Sequence, residues 1–335
     1  MSSPNLDVIL PFHRLDQYLI DAIDSVMNSS YEDFRLILVD DRPNNYDSID
    51  INKISKKLRE YTYLKTIGGI GYGASLALGT EVLKAPYVAF MDSDDLIDRN
   101  RFNLQLKTIL DCDISICGIQ KIDKHGNYIP SLMGKLQDKN YHPLLLLIGP
   151  YGADSTWLMK TEWWIKNSFF DNDFALDWRI AMKAFPEAKI SYIDKKLYFY
   201  REHSKQYSKT QRSKSSYNRV YEEWYLLGLK YSVDYLNRNT FDLLVIPEKK
   251  GTQYLSNEFR NFLKSYFSLI NKNKLPISIN SISELIERRI VIHAFTHTSK
   301  LFLLLKITRE FKKVFILILY EIFLKFITKY FRVVR

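Results

Sequence analysis

Three carboxylates crowd one short stretch, Asp92-Ser93-Asp94-Asp95, directly after the apolar run Tyr87–Met91. Carboxylates this close repel one another, and a bound cation relieves that repulsion. Oxygen ligands suit Mg2+ or Mn2+, and Mg2+ is usually held by one or two carboxylates together with substrate phosphates. A metal at this spot would bridge a diphosphate and stabilise it as a leaving group. The competing reading is a strand end followed by an Asp cap for a helix around residues 99–110, which needs one Asp rather than three.

A second acidic pair, Asp40-Asp41, follows the apolar run Leu36–Val39. Alone it reads equally well as a turn in which Asp bonds its own backbone; a second acidic strand end in the same sheet raises its interest. The stretch Gly68-Gly-Ile-Gly71-Tyr-Gly73-Ala-Ser75 sits between a strand pattern and a helix pattern. Gly69, Gly71 and Ala74 fit G-x-G-x-x-A, with acids about 20 positions later, as a dinucleotide-binding turn requires. That supports a rival class, an NAD(P)- or flavin-dependent oxidoreductase using the Gly69–Gly73 loop. Against it, the element comes third in strand order, and three acids exceed what a ribose needs. A plain glycine turn that admits a close backbone is the simplest alternative. No G-x-x-x-x-G-K-[ST] is present, which removes the P-loop NTPases.

The elements that must position these groups alternate in period. Val8–Leu10, Leu36–Val39, Tyr63–Ile67, Tyr87–Met91 and Ile114–Ile116 are short β-rich runs, and Leu15/Leu19/Ala22/Val26 and Phe102/Leu106/Ile109 recur at helical spacing. Strands apolar on both faces and separated by helices indicate a mostly parallel sheet covered on both sides, in which ligands bind at the carboxyl ends of the strands. Both acidic clusters stand at such ends. From about 140 to 200 the pattern is mixed, with Trp157, Trp163, Trp164 and Trp178 and a strand at Leu197–Tyr200. Residues 203–216 are almost free of apolar side chains and read as a boundary. Tyr217, Val220, Tyr221, Trp224, Leu227 and Tyr231 then open a helical region.

Taken in order, Val8-Ile-Leu-Pro11-Phe12-His13-Arg14, Val39-Asp40-Asp41, Gly71–Gly79 and Phe90-Met-Asp92-Ser93-Asp94-Asp95 resemble the family 2 glycosyltransferases of the GT-A fold. Phe174-Ala-Leu-Asp177-Trp178 resembles that family's Glu-Asp-Trp segment, and Tyr200-Arg201-Glu-His203-Ser-Lys-Gln206 its Tyr-Arg-x-His element. The resemblance covers roughly residues 6–210. It implies a Rossmann-like α/β mixed sheet with helices on both faces. It implies a nucleotide-sugar donor bound by Pro11, Phe12, His13, Arg14, Asp40, Asp41, Gly71, Gly73, Asp92, Ser93, Asp94 and Arg201, with Mn2+ or Mg2+ on Asp94, Asp92 and His203. It also implies an inverting displacement with Asp177 as base, whose apolar neighbours Ala175, Leu176 and Trp178 would raise its pKa. Without the resemblance Asp177 reads as a helix-start acid. Two positions depart from the family: Leu176 stands where it has Glu, and Leu76 where many relatives have Arg, which shifts phosphate neutralisation toward the metal, Arg201 and His203. The expected activity is transfer of a hexosyl or N-acetylhexosaminyl group, UDP-linked, to a glycan or lipid-linked acceptor of a bacterial surface polysaccharide. A glycosidase would also use two carboxylates, but would not need a metal-binding strand end.

The 335-residue chain is 46% hydrophobic and 26% charged, which excludes a disordered or fibrous protein, and it needs no disulfide to hold a core of this size. Cys112 and Cys117, five apart, are expected on opposite faces of a strand and unpaired. Residues 201–335 carry 25 of the 48 Lys and Arg but 11 of the 38 Asp and Glu, a net of +14, which leaves −4 for residues 1–200. The expected division is a catalytic domain at 1–210 and a helical, basic region at 211–335. Its end, 301–335, sets eight Lys and Arg against Glu310 and Glu321, with Phe311, Phe315, Ile318, Ile322 and Phe326 on the opposite helical face. The uncharged stretch Val314–Tyr320 is too short to span a bilayer, so this end reads as an amphipathic helix lying on an anionic membrane surface. The plainer alternative is an ordinary helix packed on the C-terminal domain with Lys as its solvated face; the width of the apolar side favours the membrane. Its interleaved aliphatic residues argue against nucleic acid. A basic membrane-surface protein without catalysis would leave residues 92–95 unexplained. The N-terminus lacks the pattern of a secretory signal, so the expected location is cytoplasmic, peripheral on the inner face of the inner membrane; a homo-oligomer is compatible with all of this.

Overall fold

The computed structural model describes residues 4–43, 58–129, 143–147, 152–170, 175–204, 206, 214–234, 236–238, 240–241, 261–263, 265–266 and 268–269. By contact, these fall into two compact units: the residues up to 223 except 147, and residue 147 with those from 224 on.

The first unit carries eight strands: β1 Leu6–Phe12, β2 Phe34–Asp40, β3 Tyr61–Lys65, β4 Tyr87–Phe90, β5 Leu96–Ile97, β6 Ile114–Ile122, β7 Trp157–Lys160 and β8 Ile190–Arg201. They form one sheet in the order β3-β2-β1-β4-β7-β6-β8-β5. The first four are mutually parallel, β7 is antiparallel to both neighbours, β8 is parallel to β6, and β5 is antiparallel to β8. Every residue of β1 and β2 is buried, as expected of central strands packed on both faces. Two of their charged residues meet each other: Arg35 Nε and Nη2 donate to the two oxygens of Asp7 at 2.8 and 2.9 Å.

Helices Gln17–Met27, Tyr72–Glu81, Arg101–Thr108 and Thr161–Asn167 pack on this sheet, and Leu176–Ala184 packs against Thr161–Asn167. The first starts where Asp16 Oδ1 accepts from the Leu19 N–H, and it buries Leu19, Ala22, Ile23, Val26 and Met27. Leu15, expected in that stripe, precedes the cap and is 47% exposed. Tyr72–Glu81 lies so close to β1 that a Cβ on Gly79 would come within 2.7 Å of Ile9 Cγ2. This is the expected GT-A architecture, a mixed sheet with helices, followed by the helix Lys214–Lys230. In the second unit Trp224 donates its indole N–H to the Leu147 carbonyl at 2.8 Å and packs on Phe241 and Phe262.

Several expectations are corrected. The strand expected at Tyr63–Ile67 ends at Lys65, because Thr66 turns away to hold Asp41. Cys112 lies in the turn before β6 rather than on a strand; both cysteines are free thiols and Cys117 is buried. The competing reading of residues 92–95 as a cap for the next helix also falls, since β5 intervenes and Asn100 is the capping position. The basic segment 301–335 lies outside the described residues, and among the described residues no helix is long and apolar enough to cross a membrane.

Candidate active site

The parallel strands end side by side. Phe12 stands opposite Asp40, the Asp41 N–H donates to the Phe12 carbonyl at 2.8 Å, and the Met91 N–H donates to Ile9 at 3.0 Å. The carboxyl ends of β1, β2 and β4 therefore share one edge, where ligands bind in such sheets. Asp92–Asp95 forms the turn between β4 and β5. Because β5 pairs back on β8, with Leu96 opposite Phe199 and Ile97 opposite Tyr198, the end of β8 is delivered to that turn. Two segments more than 100 residues apart thus meet by strand pairing.

The contacts there assign roles. Arg201 donates its backbone N–H to Asp95 Oδ1 and its Nε to the Asp94 carbonyl, both at 2.7 Å, and its guanidinium lies 4.7 Å from the centre of the Tyr18 ring. With a side chain only 3% exposed, Arg201 braces the acidic turn. Gln206 closes the turn after it, donating to the Arg201 carbonyl at 2.6 Å. His203 Nε2 lies 2.8 Å from Asp94 Oδ2, which brings together two of the three expected metal ligands. Asp92 does not join them: its Oδ2 faces the Tyr198 hydroxyl at 3.4 Å, and among the described residues no three His, Cys, Asp or Glu side chains are grouped to hold a metal. Ser93 is half-buried between these acids.

Burial and mutual repulsion set the electrostatics. Asp92 is pushed up to about 7, first by desolvation and then by the charge of Asp94, although part of its surface stays open. Asp95 is raised by burial and then by Asp94 and Asp92, against the Arg201 N–H and the Tyr198 hydroxyl; among the described residues its Oδ2 has no partner within hydrogen-bond distance. Asp177, half-buried, is pushed up to about 6 by desolvation, against the backbone N–H groups of Trp178, Asp177 itself and Asp154. It occupies the first turn of Leu176–Ala184, whose preceding residue, Ala175, takes the left-handed φ of 58°. That geometry is strained for a residue with a Cβ. Trp178 anchors the helix by donating its indole N–H to the Leu146 carbonyl at 2.9 Å. So Asp177 is a helix-start acid and a desolvated carboxyl at once.

Asp154 is a fifth acid here, and the one that sequence reasoning missed. It is 6% exposed, accepts the Tyr72 hydroxyl at 2.9 Å, and has its pKa raised by burial and then by the charges of Asp177 and Asp92. Its only local signal is a polar Asp-Ser-Thr ahead of the apolar Trp157–Met159. That signal has meaning only once β7 is known to run antiparallel, since the start of β7 then meets the end of β4.

On the other side of the edge, the acids at the end of β2 are already engaged. Asp40 is fully buried between Arg42, which donates from Nε and Nη2 at 3.0 and 2.8 Å, and the Tyr63 hydroxyl at 2.7 Å. Burial alone would raise its pKa, but those donors hold it below the ordinary carboxylate range. Asp41 accepts from the Thr66 hydroxyl at 2.7 Å and from the N–H groups of Ile70 and Gly71 at 2.9 Å each. These amides, at the start of Tyr72–Glu81, are the ones a dinucleotide pyrophosphate would need; here a carboxylate of the same chain satisfies them. Gly71 caps that helix with φ 90° and Gly73 is buried in its first turn. Pro11 and Phe12 are buried at the end of β1, while His13 and Arg14 are exposed beyond it. The His13 ring nonetheless titrates below the ordinary imidazole range through desolvation and Arg14, against the pull of Asp94 and Asp41.

The donor set suits a hard divalent cation. Asp94 and His203 converge, Asp95 keeps a buried oxygen with no partner at bonding distance among the described residues, and the turn concentrates negative charge. Two protein ligands completed by phosphate oxygens are the usual arrangement for Mg2+.

The Glycosyl transferase family 2 model matches residues 7–185. The O-antigen biosynthesis glycosyltransferase WbnJ of Escherichia coli is 30% identical over 229 residues, which are 63% of this chain and 84% of WbnJ. A glycosyltransferase of Rickettsia bellii is 29% identical over 43% of this chain and 21% of its own length; one of Methanocaldococcus jannaschii is 28% identical over 38% and 46%. The chain thus spans between a fifth and a half of several curated relatives it matches. In solved structures, S. aureus TarS 1-349 in complex with UDP has a TM-score of 0.56 at 17% identity, covering 86% of this chain and 90% of that one. Its complex with UDP-GlcNAc gives 0.55, covering 85% and 82%.

Proposed function

The chain belongs to glycosyltransferase family 2, and on that premise we propose that it moves a hexose or N-acetylhexosamine from a UDP-sugar to a hydroxyl of a glycan or lipid-linked acceptor, in the assembly of a bacterial surface polysaccharide. The observation that carries this reading is Asp177, a half-buried carboxyl raised to about 6 and set across from the acidic turn of β4. A base of that strength is ionised at neutral pH yet still takes a proton as an alkoxide develops. In the displacement, Asp177 removes the acceptor hydroxyl proton while that oxygen bonds to the anomeric carbon. The carbon–oxygen bond to the diphosphate breaks, and UDP leaves with the electron pair. Attack from the face opposite the diphosphate inverts the centre. A divalent cation would be held by Asp94 and His203, and when bound it supplies neutralising charge for the diphosphate. Arg201 keeps Asp94 and Asp95 in place for that task. The UDP and UDP-GlcNAc complexes of TarS and the O-antigen role of WbnJ support the donor and the pathway class.

We assign transfer to residues 1–210, and to the basic 211–335 region the holding of the enzyme on an anionic membrane surface at the inner face. A panel of nucleotide sugars with Mn2+, scored by nucleoside diphosphate release, tests the reading. Asp177→Asn is expected to keep thermal stabilisation by UDP and lose about 100-fold or more in release; release at the parental rate would refute Asp177 as base.

A further inference from the structure

This inference rests on the transferase reading above and extends it to residues that neither motif nor family resemblance assigned. Tyr72 is the first residue of Tyr72–Glu81 and directly follows the Gly68–Gly71 turn. Its hydroxyl donates to Asp154 Oδ2 at 2.9 Å, and the Ser155 N–H holds Asp154 Oδ1 at 2.9 Å. The backbone N–H of Asp154 in turn donates to the carboxylate of Asp177. We propose that Tyr72 and Asp154 are positioning residues for the base, a chain of two hydrogen bonds that fixes Asp177 and ties it to the glycine turn.

The arrangement is a poor choice for stability alone. A carboxylate 6% exposed, facing two other acids, costs desolvation and repulsion that a neutral side chain would avoid. The groups facing Asp177 come from three elements: Asp154 before β7, Asp92 after β4, and Tyr72 at the helix start. Among them the phenol donates a proton while the two carboxylates accept, so Tyr72 can orient Asp154 without adding charge. Leu176, buried beside the base, places no acid at the position directly before it, and Asp154 brings one from another loop.

The test compares Tyr72→Phe, Asp154→Asn and Asp154→Ala with the parent in release of UDP from whichever UDP-sugar the parent turns over fastest. Tyr72→Phe removes one oxygen and is expected to lower kcat about 10- to 100-fold, as a base displaced by a fraction of an ångström would, with donor KM within about twofold. The acid limb of its pH–rate profile moves to higher pH, because without the phenol Asp154 shifts, its backbone N–H is displaced from Asp177, and a base with a weakened donor holds its proton more tightly. Asp154→Asn, which still accepts from Tyr72, is expected to retain more activity than Asp154→Ala. Tyr72→Phe with parental kcat, or with a lowered kcat and an unmoved acid limb, overturns the proposal. Should Asp154→Ala fail to fold, the Tyr72→Phe result alone decides. If the parent turns over no nucleotide sugar, the transferase reading itself fails, which is distinct from any variant result.

Discussion

A carboxyl that leaves water without a cationic partner holds its proton more firmly, and Asp92 and Asp177 show this as values of about 7 and 6 against an ordinary 3.8. Such a shift is also a statement about folding. Each group binds its proton more tightly folded than unfolded, so its contribution to stability is full below about pH 4 and is lost as pH rises through its folded pKa. Asp92 therefore destabilises the metal-free protein most above about pH 7. Asp92→Asn should raise Tm at pH 7.5 and flatten the fall in Tm between pH 5 and 8, measured by calorimetry in chelator. A variant that melts with the parent at both pH values would contradict the assignment. The cost is borne where function needs charge, a common reason that active sites are suboptimal for stability.

At the scale of elements, the glycine turn shows how backbone conformation serves a distant charge. Gly68 has φ +89°, and a Cβ there would meet the Arg42 carbonyl and Pro43 Cα at 2.6 Å. Gly69, at φ +72°, has nothing within 4 Å of its virtual Cβ. Both alanine substitutions incur about 1–2 kcal/mol for left-handed backbone, but only Gly68→Ala must also move backbone. That movement would shift the amides of Ile70 and Gly71 off Asp41. We expect Gly68→Ala to lose clearly more stability in urea unfolding than Gly69→Ala, and to weaken stabilisation by UDP. Equal losses would mean that the turn does not hold the end of β2.

For the whole molecule, charge is divided by position: residues 201–335 carry a net +14 and residues 1–200 a net −4. On the proposed reading the acidic part would serve the diphosphate of the donor and the basic part would meet anionic lipid. Each Lys or Arg near such a surface contributes about 1 kcal/mol, screened by salt. Removal of residues 301–335, a net +6, should release the protein from phosphatidylserine vesicles in a flotation assay, and 0.5 M salt should weaken binding by the full chain. Vesicle binding that survives both would reject the membrane assignment.

Some of this was written in local sequence. Central strands read as apolar runs because both faces are buried, and an acid placed at the end of such a run lies at the ligand edge of a parallel sheet wherever the sheet goes. Asp92, Asp94 and the strands β1, β2 and β4 were therefore legible. The direction of a strand is not a local property. Only the antiparallel course of β7 carries Asp154 to Asp92, and only the two-residue pairing of β5 with β8 turns Arg201 into a brace for Asp94 and Asp95. Nor can spacing reveal which partner a polar group takes: Asp41 and the amides of Ile70 and Gly71 satisfy each other, so two features that each suggested a ligand form one internal contact. Residue types set what chemistry was available; the pairing of distant segments decided which carboxylates share a site.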